Sequence, residues 1–226
     1  MTGFAGWNLF GNLAAITFTQ GLNLLLNMFF GPVVNAARGI AVQAQTAIGQ
    51  FSSNFQTALN PQITKSYATG DMEYMHGLIF RSAKFSFFLL LLLSLPVLIE
   101  TKALLTLWLK IVPDHTVVFL RIMLCTTWVY AVSNPLITAA SATGKIKLYQ
   151  SVVGGLLLLI LPISYLCLRF GLPAYSVFIV HLVIEITAQF ARLLMLRRMI
   201  RLSLREYFAK VIWSISKVTA IALAVP

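Results

Sequence analysis

The sequence predicts an all-α, polytopic membrane protein, and three observations carry that prediction. Hydrophobic residues make up 59% of the 226-residue chain and charged residues only 10%, where a soluble domain would be about a quarter charged. Apolar runs recur at the length of roughly 20 residues that a helix needs to cross a hydrocarbon core. Lys and Arg gather at the ends of those runs, most densely at Arg197, Arg198, Arg201, Arg205 and Lys210. A mean hydropathy of +0.86 agrees.

Six spans are expected near 8–31, 36–60, 84–108, 116–142, 149–169 and 174–196, with a partial seventh from 211. The breaks between them have local causes. Gly31-Pro32 closes the first, Asn60-Pro61 the second, Pro113 precedes the fourth, and Gly171-Pro173 divides the fifth from the sixth. Pro96 and Pro162 fall within spans and are expected to kink them. The organisation expected is a six-helix bundle over 1–196, a basic amphipathic cytoplasmic linker over 197–210, and the start of a further membrane helix over 211–226. The chain begins almost inside one helix and stops at IALAVP inside another apolar run, which is the expectation for a fragment.

Basic residues set the orientation. Lys65, Arg81, Lys84, Lys145, Lys147 and the 197–210 cluster share one side; Lys102, Lys110, Arg169 and Arg38 share the other. The richer side is cytoplasmic by the positive-inside rule, which places the N-terminus in the cytoplasm. The net charge of +11 is spread over helix ends, with no basic soluble domain to hold nucleic acid. Cys125 and Cys167 lie inside apolar runs and read as small buried hydrophobes. No His, Asp or Glu cluster has metal-ligand spacing and no glycine loop fits a phosphate, so neither an enzyme nor a metal or other cofactor is expected.

The candidate site lies on the first two spans. On a helical wheel Asn12, Thr19 and Asn23 share a face of the first. In the second, Ile40, Ala44, Ile48, Phe51, Phe55 and Leu59 form an apolar stripe expected to pack on the bundle. Gln43, Gln50 and Asn54 border that stripe on one side, and Arg38, Gln45 and Ser52 lie on the other. Unsatisfied amides in hydrocarbon cost several kcal/mol each, so these groups are expected to face a water-filled cavity or to bond across helices. Neutral donors and acceptors suit sugar hydroxyls; a guanidinium at Arg38 suits a phosphate. Glu185, mid-span with His181 one turn earlier on the same face, is the candidate for ion coupling.

The segments GWNLFGNLAAITFTQGLNLLLNMFFGPVVNAARGIA and NFQTALNPQITKSYATGD, then LTLWLKIVPDHT and ATGKIKLYQ, resemble bacterial polysaccharide flippases. These are the Wzx-like O-antigen and capsule exporters of the multidrug/oligosaccharidyl-lipid/polysaccharide transporter superfamily. The resemblance implies one lobe of a MATE-like fold, the C-terminal one, with a missing N-terminal lobe as partner. It implies flipping of an undecaprenyl-diphosphate-linked oligosaccharide across the bacterial inner membrane for lipopolysaccharide or capsule synthesis, beside polysaccharide polymerase and assembly proteins. A cation-coupled multidrug exporter of the same superfamily is one alternative; it calls for an aromatic cavity holding a carboxylate. A non-transporting scaffold of a polysaccharide-assembly complex is the other; it calls for polar faces packed dry.

Overall fold

The computed structural model describes the backbone of residues 2–224 and the side chains of 13 and 16–224. Among these residues every regular element is helical: α1 (Thr2–Ala68), α2 (Met72–Ile99), α3 (Thr101–Leu109), α4 (Thr116–Ala142), α5 (Ile146–Leu158), α6 (Ile160–Arg169), α7 (Ser176–Met199), α8 (Leu204–Tyr207) and α9 (Trp213–Ala224), the last two joined by a π-helical turn over Phe208–Ile212. Six helical stretches are long and apolar enough to cross a bilayer. The chain is a multi-pass membrane protein.

The helix α1 is bent at Gly31, whose φ of 80° and ψ of −179° belong to a region essentially reserved for glycine. Pro32 then opens the second arm, where its missing N–H is one the helix would leave unpaired anyway. The Arg38 guanidinium donates to the Thr19 carbonyl at 3.3 Å. A straight helix would hold residues 19 apart about 28 Å from each other, so the two arms fold back on one another. The break expected at Gly31-Pro32 is therefore a hairpin between arms 2–30 and 32–68.

Proline 61 does not end the second span, contrary to expectation. It removes one backbone donor but keeps helical φ, and α1 runs on to Ala68. The stop is at Thr69-Gly70-Asp71. Gly70, at φ 77°, donates to Tyr67 O, and Asp71 N donates to Ser66 O, a Schellman closure. The Asp71 side chain then accepts from Tyr74 N at 3.0 Å and starts α2. That helix begins at Met72, well before the expected 84; Glu73, His76 and Arg81 disguise its first turns. Met75, Leu78, Ile79 and Ala83 nevertheless keep helical spacing and are buried. Around Pro162 the expected kink is a one-residue interruption at Leu159, between α5 and α6. The expected linker 197–210 is divided: its first residues finish α7, and the last helical stretch already begins at Leu204, ahead of the expected 211.

Two apolar cores stack along the bundle. One gathers Leu26, Ala41, Leu124, Ile160 and Phe178; the other gathers Ile63, Ile79, Leu136, Leu196 and Tyr207. Between them, mid-span on α4 and α7, lies a polar layer. Its members come from α1, α2, α4, α7 and α8, and it positions the candidate site.

Candidate functional site

The layer starts on α1. Gln45 donates through Nε2 to Thr127 Oγ1 at 2.7 Å and to Met123 O at 3.3 Å. Gln56 donates to Ala131 O at 2.6 Å, and Ser52 Oγ to Ser86 O at 3.3 Å. These side chains, with Ala37, Ala41 and Ile63, are what the second arm of α1 turns inward. The expected apolar stripe does not lead the packing: Phe51 is 58% exposed, and Ile40, Ala44 and Ile48 sit half-buried at the margin. Small and amide side chains let α1 approach α4 closely, as membrane helices do where the surrounding lipid is as apolar as leucine. The serines of α2 serve the same packing: Ser82, Ser86 and Ser94 are buried, and Ser94 accepts from Trp128 Nε1 at 2.8 Å.

On α7 the layer is charged. Glu185 does not pair with His181, as its placement one turn away suggests. Its Oε1 accepts from Arg192 Nη1 at 2.7 Å, with both side chains almost fully buried. Seven residues on one helix are about 10 Å of rise, which arginine covers because helical side chains lean toward the N-terminus. Arg192 also donates to Ser133 Oγ at 3.1 Å, and Ser133 donates to Gln189 Oε1 at 2.6 Å. Gln189 Nε2 donates to the Tyr207 hydroxyl at 3.3 Å, which donates to Val132 O at 3.4 Å. The chain of bonds thus joins α7, α4 and α8. His181 instead packs its ring on Phe18, with centroids 5.0 Å apart.

Two cavities open off this layer. One of about 280 Å³ lies between α1 and α4 and takes Gln45, Gln50, Ser52, Gln56, Thr127 and Tyr130 into its walls. Another of about 350 Å³ shares Gln45, Thr127 and Tyr130 and reaches Tyr149, His181, Glu185 and Arg192. Comparison with protein-family models, curated proteins and solved structures returns no match for this chain. Its site therefore rests on its own geometry.

That geometry sorts the expected residues into three places. Arg38 is buried and bonds Asn23 Oδ1 and the Thr19 carbonyl, while Asn23 donates to Gln20, so this group ties the arms of the α1 hairpin. Gln45 and Gln50 line the cavity between α1 and α4, and Gln50 donates to Asn54 one turn on at 2.8 Å. Glu185 and His181 line the deeper cavity. Gln43 is exposed. The side chain of Asn12 lies outside the described residues. Sequence reasoning missed Arg192, Ser133 and Tyr207; the signal for Arg192 was a basic residue two turns after Glu185 on the same face of an apolar helix.

Proposed function

We propose that the chain is a lobe of a transporter that flips an undecaprenyl-diphosphate-linked oligosaccharide across the bacterial inner membrane, with its N-terminus in the cytoplasm. The observation carrying this reading is a polar stripe on the outer side of α1. Gln43, Thr46, Gln50, Ser53, Thr57 and Thr64 are exposed and Asn60 is half-buried. They recur at alternating intervals of three and four, one helix face. From Gln43 to Thr64 the stripe rises about 31 Å, against a hydrocarbon core of about 30 Å. A face polar over the whole thickness of the membrane does not face lipid, because amides there would go unpaired. It suits a hydrated passage closed by a second, N-terminal lobe, in which neutral amides and hydroxyls meet sugar hydroxyls.

Two features separate this reading from its rivals. A cation-coupled drug exporter calls for an available carboxylate, whereas the stripe carries no acid and Glu185 is held by Arg192. A scaffold calls for dry polar packing, whereas Gln50 and Ser53 stand open on a cavity wall. Polysaccharide polymerase and assembly proteins remain the partners proposed for the whole transporter. The test is complementation of a strain lacking the protein with the Gln50→Leu, Ser53→Leu double variant. Surface polysaccharide should fall at least tenfold while membrane levels of the protein hold. Full export from the variant would sink the passage and favour the scaffold.

A further inference from the structure

A cavity of about 640 Å³ opens at the basic end of the bundle, between the first turn of α5 and the last turns of α7. Its chemistry divides into two parts. Arg197 and Arg198 supply two exposed cations. Leu148 and Leu194, 66% and 58% exposed, supply an apolar wall open to the side. The first turn of α5, which begins at Ile146, adds a third element: the positive end of its helix dipole faces the same groove. Behind it lies Tyr149, only 2% exposed. The same tyrosine lines the deeper cavity that holds Arg192 and Glu185, so it stands as the wall between the two.

We propose that this groove is a binding site for an anionic phospholipid. The phosphate sits against Arg197, Arg198 and the start of α5, and an acyl chain lies along Leu148 and Leu194. Cations above, apolar wall below and a helix N-terminus together match a molecule with a charged head and a greasy tail; a free anion would leave the apolar wall unused. Basic pockets between helices at the cytoplasmic side of a membrane favour such headgroups. The proposal holds whether or not the chain transports oligosaccharide, and its test does not depend on transport.

The purified full chain in neutral detergent is titrated with phosphatidylglycerol, with phosphatidylcholine and with inorganic phosphate, and bound lipid is read by native mass spectrometry. Phosphatidylglycerol should bind and raise the unfolding temperature by mass action; the other two should not. The Arg197→Gln, Arg198→Gln variant should bind it about thirtyfold more weakly, from the contribution of two basic residues near a headgroup. Arg197→Lys, Arg198→Lys should keep most of the affinity. Both arginines are exposed, so the bundle survives these changes. A loss under threefold in the Gln variant overturns the site, as does equal binding of phosphatidylcholine. Inorganic phosphate matching the lipid also overturns it, by making the groove a free-anion site. Leu148→Gln, Leu194→Gln checks the apolar half independently: unchanged phosphatidylglycerol affinity there overturns the acyl-chain placement.

Discussion

At the scale of single residues, the Glu185–Arg192 pair is the most exacting feature of the chain. Two charges taken out of water recover their desolvation cost only with good geometry and further hydrogen bonds, and here Ser133 supplies one more. Removing one partner strands the other. Arg192→Ala should destabilise the protein by about 3–5 kcal/mol, while replacing both residues by Glu185→Leu and Arg192→Met should come out near neutral. Denaturation midpoints in detergent check this; an Arg192→Ala protein as stable as the parent would mean the pair is not buried. Gln45 is a gentler case. Its bonds to Thr127 and Met123 are of the kind that contributes about 0.6 kcal/mol within membranes, so Gln45→Leu should barely move the midpoint. Any larger effect on transport would then come from the cavity. Glu185 was legible from its depth in an apolar span. Its partner was not, because His181 stands one turn away on the same face, whereas Arg192 reaches Glu185 only by extending its long side chain over two turns.

At the scale of elements, glycine and proline positions decide where helices turn and where they do not. Gly31 holds a conformation that side chains resist, and nothing crowds the position where a Cβ would go. Its cost on substitution is therefore purely backbone strain. Gly31→Ala should cost about 1–3 kcal/mol, and it should loosen the arms where Arg38 spans them; a Gly31→Ala protein with an unchanged midpoint would refute the hairpin. The hairpin, α4 and α7 were readable from apolar periodicity and turn residues. The early start of α2 was not, because Glu73, His76 and Arg81 occupy its outward side while the inward side stays apolar. Nor was the inward face of α1. Periodicity arguments assume that the apolar side packs, and inside a bilayer that assumption fails: Gln45, Ser52 and Gln56 pack while Phe51 faces out.

At the scale of the whole molecule, the protein has one face unlike the others. Cysteines placed at Gln50 and Thr57 on the α1 stripe should react with a membrane-impermeant maleimide in cells or proteoliposomes. Cysteines at Leu92 and Val183, which are 71% and 56% exposed on the apolar exterior, should not. Equal silence at all four positions would remove the passage. Fusion reporters check the proposed orientation: a reporter in the 69–71 turn should report cytoplasm and one in the 110–115 loop the opposite side. The all-helical membrane class was legible from composition. The stacking of two apolar cores around a polar layer was not, since it depends on which residues of distant helices share a depth.

Tyr207 adds a matter of timing. It is fully buried, bonded to Gln189 and Val132, and it reaches the bundle from the last helical stretch. During synthesis α4 and α7 leave the ribosome first, so Ser133, Gln189 and Arg192 can meet before Tyr207 exists to join them. Until it arrives, the Val132 carbonyl and one Gln189 amide proton have no such neighbour inside the bilayer. The bundle is thus sealed late, by a tyrosine acting as a keystone, and a nascent chain halted before residue 207 should stay open to the insertion machinery.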